Sequence, residues 1–134
     1  RRACRRRRDI HDASGIDGTF VGQMRYGGGR LAQFDCGFRA PFRTHAEIVG
    51  SAGTITLTMP FKPDANAQII LRREDAEEHV AVENQPLYEG EVEDMHDAIL
   101  DGKTTRVSLA EGRNHVATIC ALYESARRGQ PVRM

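Results

Sequence analysis

The sequence predicts an α+β fold: an open, mainly antiparallel sheet of about six strands, with two C-terminal helices on one side. Two periodicities and their order carry this. Between Gly18 and Glu83 apolar side chains recur at every second residue in short runs, divided by glycines, prolines and charged turns. After Tyr88 the spacing changes to that of a helix, with Val92, Met95 and Ile99 at i, i+3 and i+7. A block of strands followed by a block of helices places the helices against one side of a sheet.

The first hairpin is formed by "GTFVGQMRY" and "RLAQFDCGF" around Gly27, Gly28 and Gly29. If all three glycines form the loop, Tyr26 faces Arg30, Met24 faces Ala32, Gly22 faces Phe34 and Phe20 faces Cys36, so the large apolar side chains share one face. A loop one residue shorter sends them to opposite faces, and the longer loop is therefore expected. In the second hairpin "HAEIVG" and "TITLTMP" flank Ser51-Ala52-Gly53, and a three-residue loop sets Val49 opposite Ile55. Two more strands are expected at Ala67 to Arg73 and at Glu78 to Glu83, joined by a charged turn, with Pro60 and Pro63 marking the link before them.

The helices have end signals of different quality. Gly102 is placed to end the first as a C′ glycine. Ser108 and Glu111 fit a capping box for the second, Arg127 and Arg128 suit its negative end, and Gly129 with Pro131 stops it. Its apolar stripe is expected at Val116, Ile119, Cys120 and Tyr123.

A length of 134 residues suits one domain with one core. With 40% hydrophobic and 28% charged residues and no run near the ~20 apolar residues of a membrane span, composition is that of a soluble globular protein. Cys4, Cys36 and Cys120 are too few and too far apart for a disulfide framework or a zinc site, and the basic end precedes no apolar h-region, so a reducing cytoplasm is expected. The formal net charge of zero hides an asymmetry, since "RRACRRRR" holds six of the nineteen basic residues. Such an end can bind phosphate backbones, but the acidic body and the lack of interleaved aromatics argue against a nucleic-acid binder. Residues 1–15 are expected to be a disordered or corrupted end and residues 16–134 the folded domain.

Chemistry is sparse. A phosphate cradle needs spaced glycines between a strand and a helix, whereas Gly27 to Gly29 are contiguous and lead into a strand, so no cofactor-binding residue is assigned. His96 beside Glu93, Asp94 and Asp97 lies where acidic residues are expected from the helix dipole alone, and no metal site is assigned. No nucleophile stands beside a base, so no catalytic residue is assigned. The stretch "GFRAPFRTH" offers two readings: Arg39, Arg43 and His45 line a pocket for a hydroxylated or anionic ligand, or Phe38 and Phe42 cover the core edge while the arginines stay solvated.

"AEIVGSAGTITL", "YEGEVEDMHDAIL" and "ALYESARRGQPV" resemble the C-terminal domain of the glucose-fructose oxidoreductase, inositol dehydrogenase and rhizopine-catabolism (Gfo/Idh/MocA) family, nearest in wording to its sugar and dihydrodiol dehydrogenase branch. The resemblance spans about Ile16 to the C-terminus. It implies a domain that shapes a substrate site and packs against another subunit through its sheet, in an enzyme that uses NAD or NADP on a sugar, polyol or dihydrodiol. It implies substrate contacts at Arg39, Arg43, His45 and, near the domain junction, Tyr88. The family's cofactor-binding glycines, catalytic lysine and acid/base element lie upstream of this domain and have no counterpart here. The chain is accordingly expected to be a fragment, inactive alone, with no cofactor of its own. Where the family has the first strand of this sheet, "RRACRRRRDI" stands, and an unpaired sheet edge is expected there. An alternative function is a structural module that oligomerises through its sheet without substrate.

Overall fold

A computed structural model describes residues 2–3, 8–10, 15–83 and 85–134. The remainder of the arginine run, with Cys4, and His11 lie outside the described residues. The fold is α+β, and every strand pairing described is antiparallel. The chain divides into two compact units, Arg1–Pro41 with Val107–Met134, and Phe42–Arg106, where its length suggested one domain. The expected single sheet is correspondingly two four-stranded sheets. The division has a local cause: the stretch from Phe38 to His45 has no strand pairing, and Pro41 within it lacks the N–H that a ladder needs. The helices are divided too, one to each unit.

In the first unit β3 (Asp17–Arg25) is central. On one side it pairs with β4 (Leu31–Gly37), in the register the face pattern requires: Phe20 with Cys36, Gly22 with Phe34 and Met24 with Ala32. The Tyr26 N–H donates to the Arg30 carbonyl at 2.8 Å and closes the loop. Gly27–Gly29 form one 3₁₀ turn, with Gly28 and Gly29 at φ of 73° and 78°. On its other side β3 pairs with β1 (Arg2–Ala3) and β2 (Arg8–Ile10), so the edge expected to be unpaired is taken by the arginine-rich end itself. Ladder bonds are made by backbone groups, which arginine supplies as any residue does.

The Phe34 ring covers Gly22, which is buried; a Cβ there would lie 2.3 Å from Phe34 Cε1. Phe20 stacks on Phe34 with ring centroids 6.0 Å apart and meets Tyr123 of α2 (Leu109–Arg128) at 5.4 Å. The α2 ends follow the caps. Ser108 Oγ accepts from the Glu111 N–H at 3.2 Å, the Ser108 N–H donates to Glu111 Oε2 at 2.9 Å, and Gly129 takes φ 66° at the other end. Such an N-cap contributes about 1 kcal/mol. The two bonds from Ser108 hold the Glu111 carboxyl below its ordinary range. The buried face is Leu122, Ser125 and Ala126 rather than the expected stripe, of which Val116 and Ile119 stay exposed. Ser125 Oγ donates to the Gln130 carbonyl at 2.8 Å.

In the second unit the strand order is β5 (Ala46–Gly50), β6 (Gly53–Leu57), β7 (Gln68–Arg73), β8 (Ala76–Ala81). Its first hairpin departs from expectation by one residue. Gly50 pairs with Gly53 across the two-residue turn Ser51-Ala52, so Ile48, not Val49, stands opposite Ile55. The reason lies one strand further on: Ile55 pairs with Leu71 and Leu57 with Ile69. Only the shorter loop keeps Glu47 off that apolar face, since a slip of one residue would set it opposite Leu57 in place of Ala46. β8 starts two residues before its expected position because Glu74-Asp75 is a tight turn, with Glu74 at φ 50°. α1 (Glu89–Leu100) ends at Asp101 and Gly102, the latter at φ 66° as its C′ position requires. Its predicted stripe is exposed at Val92, Met95 and Ile99.

Candidate functional site

The four residues expected to contact substrate fall in different units. Arg39 belongs to the first, in the bend after β4, and Arg43, His45 and Tyr88 belong to the second. Arg39 lies along the start of β3, with its Nε 2.7 Å from where a Gly18 Cβ would stand. The Phe38 N–H donates to the Gly18 carbonyl at 2.9 Å, which fixes the backbone next to it. Phe38 and Phe42 are 87% and 82% exposed, so neither covers a core edge. Arg43 and His45 are exposed on the approach to β5.

Tyr88 is the N-cap of α1 and stands at φ 71°, ψ 0°. A non-glycine residue in the left-handed region costs on the order of 1 kcal/mol and persists where its surroundings fix it, a feature concentrated at ligand sites. Its side chain is 61% exposed and makes no capping bond.

A second polar cluster escaped the sequence reading. On the face of the second sheet opposite Ile48 and Ile55, Arg72 Nε donates to Glu77 Oε2 at 2.5 Å. Glu77 Oε1 lies 2.6 Å from His79 Nε2, and His79 Nδ1 lies 3.0 Å from Gln68 Oε1. Register creates this row, since Arg72 pairs with Glu77 only when β8 begins at Ala76. Arg72 and then His79 hold the Glu77 carboxyl below its ordinary range. A depressed carboxyl stabilises the fold above its unfolded pKa, and that contribution is lost as pH falls through the folded value. Melting temperature should therefore decline on acidification below about pH 4.5 less steeply in Glu77→Gln than in the parent chain. Equal slopes would show that the row contributes nothing.

Among the described residues, neither the Cys36 thiol nor a helix end offers activated chemistry. Burial, then Asp35 and Asp17, pushes the Cys36 thiol up, the opposite of what a nucleophile needs. The fit to a dinucleotide is poor for the same kind of reason. The glycine turn joins two strands and precedes no α-helix, α1 carries Glu89 and Glu91 in its first turn, and the α2 N-terminus is occupied by the Glu111 carboxylate. Carboxylates at both helix starts oppose a phosphate there. The described residues do not fit a nicotinamide cofactor.

Among the described residues the chain is an α+β domain of antiparallel strands with polar loops and no glycine-rich phosphate cradle. The profile of the oxidoreductase family C-terminal alpha/beta domain matches residues 1–134, and the chain belongs to that Gfo/Idh/MocA family as its C-terminal domain. The match starts at residue 1 and so includes the arginine-rich end. Among solved structures the chain is similar to the aldose-aldose oxidoreductase from Caulobacter crescentus, crystallised with glycerol, at a TM-score of 0.80 and 14% identity. That likeness shows the fold. It covers 99% of this chain and 41% of the other, so the chain spans about two fifths of that protein's length. No helix among the described residues is long and apolar enough to cross a membrane.

Proposed function

We propose that this domain forms the substrate wall and a subunit interface of an NAD(P)-dependent oxidoreductase acting on a sugar, polyol or dihydrodiol. The observation that carries the reading is the family match over residues 1–134, set beside helix N-termini that are closed to phosphate. In this reading a separate domain binds the cofactor, and the reaction moves a hydride between nicotinamide and a carbinol carbon. Arg39, Arg43 and His45 orient hydroxyl or carboxylate groups of the substrate, and the strained Tyr88 is held ready at the domain junction. The glycerol held by the similar aldose-aldose oxidoreductase is itself a polyol and favours that ligand class.

The 134-residue chain alone should show no saturable binding of NADH or NADPH by calorimetry and no oxidation of polyols. Micromolar binding or turnover would overturn the division of labour. Joined to its cofactor domain, the enzyme should lose substrate affinity on Arg43→Ala or Tyr88→Ala, with KM rising about tenfold, the loss of one such hydrogen bond to a charged or polar group. Unchanged KM in both would remove these residues from the wall. Exposed apolar side chains such as Ile48 and Val49 favour the second reading, an assembly module that oligomerises through its sheet without substrate.

A further inference from the structure

We propose that the apolar stripe of α1, Val92, Met95 and Ile99, is the surface on which the cofactor-binding domain of the same enzyme sits. The inference rests on the reading above that a separate domain binds the cofactor. At 3.6 residues per turn the three side chains fall within about 60° of arc on one side of the helix. They are 68%, 55% and 70% exposed. Single exposed apolar residues are ordinary, but a continuous stripe of them marks a surface that another body covers.

The opposite side of α1 is fixed by the chain that follows it. Asp94 accepts the Arg106 N–H at both carboxylate oxygens, each at 3.1 Å. Lys103 Nζ reaches Asp97 Oδ2 at 3.0 Å and Asp101 Oδ2 at 3.2 Å, and the Lys103 N–H donates to the Asp97 carbonyl at 3.3 Å. These three aspartates lie about 130–170° round the helix from the centre of the stripe. Rolling α1 to bury the stripe within its own unit would break every one of these bonds, so the cover comes from outside the unit. Charge says which cover fits. Glu89 and Glu91 flank the stripe on its two sides and call for a lysine or arginine rim, whereas α1 itself holds neither residue and a second copy of it supplies no counter-charge. In the similar aldose-aldose oxidoreductase about three fifths of the length lies outside the part this chain covers, room enough for a further domain. Docking there also sets the substrate wall. The Val92 N–H donates to the Tyr88 carbonyl at 3.3 Å, so the strained Tyr88 stands at the head of the docked face.

Met95 reports the docking without an assay of activity, because peroxide converts a thioether to its sulfoxide at a rate that follows exposure. Mass spectrometry of the enzyme joined to its cofactor domain should find Met95 oxidised at least about tenfold more slowly than in the 134-residue chain. In the joined enzyme Ile99→Asp, at a position whose exposure lets the variant fold, should return Met95 to the rate of the shorter chain, and Ile99→Leu should not. Equal rates in the joined enzyme and the shorter chain overturn the proposal. So does protection that survives Ile99→Asp, or protection that fades on dilution, which would give the stripe to a second copy. A joined enzyme that protects Met95 yet oxidises no sugar, polyol or dihydrodiol would support the docking and remove only the substrate reading.

Discussion

Replacing Gly53 by alanine should destabilise the second sheet by about 2–4 kcal/mol, read as a fall in the urea midpoint followed by far-UV circular dichroism. Two costs coincide there. Gly53 stands at φ 148°, outside the regions that residues with a Cβ adopt, and its Cβ would lie 2.2 Å from the Arg72 carbonyl oxygen. That oxygen belongs to the backbone of β7, and Thr54 pairs with Arg72, so β7 cannot retreat without loosening the ladder. The Arg73 side chain at 3.2 Å can turn away and adds little. Gly27 supplies the contrast. It lies in the other hairpin turn with nothing within 4 Å of its Cβ position and no positive φ, so Gly27→Ala should be neutral or slightly stabilising through the unfolded chain. Equal midpoints for the two variants would show that the Gly53 turn relaxes in a way its geometry does not suggest.

The same two hairpins mark how far the sequence can be read. The register of β3 and β4 was legible because both strands carry bulky apolar residues on one face, and a slip would split them. The register of β5 and β6 was not, because Val49 and Ile48 are both apolar and each suits Ile55. The choice lies with Glu47, which the longer loop would set opposite Leu57 on the face shared with Leu71 and Ile69 of β7, a strand further away than a hairpin pattern reaches. Helix ends were legible for a local reason: Ser108, Glu111, Gly102 and Gly129 satisfy or terminate the backbone within a turn of themselves. Helix faces were not, since a stripe such as Val92, Met95 and Ile99 states what can be buried and leaves open what buries it. The candidate site shows the same limit. Arg39 and Arg43 are close in sequence, yet the unpaired link through Pro41 runs from one compact unit to the other. The row of Arg72, Glu77, His79 and Gln68 was missed because a two-residue turn, not a motif, brings it together.

Phe20→Ala should cost the first unit about 2–4 kcal/mol, less than the value for a wholly buried phenylalanine because Phe20 is half-buried. Its ring makes a contact between β3 and α2. It lies near parallel to Phe34, with 20° between the ring planes, and tilted at 56° to Tyr123 of α2, both arrangements within the range that aromatic pairs favour. Truncation removes transfer energy and both pairs, including the stack on the Phe34 ring that covers the buried Gly22. Phe20→Leu should recover most of the volume but not the ring geometry, and so lie between. If the ring joins β3 to α2, the losses from Phe20→Ala and Tyr123→Ala will not add: a double-mutant cycle should return a coupling of about 0.5–1.5 kcal/mol. Phe38→Ala, at a site 87% exposed, should leave stability within about 0.5 kcal/mol of the parent. Additive losses would mean that Phe20 and Tyr123 contribute independently, without a stabilising ring contact between them. A Phe20→Ala variant as stable as Phe38→Ala would remove the aromatic contact from the forces that hold this unit together.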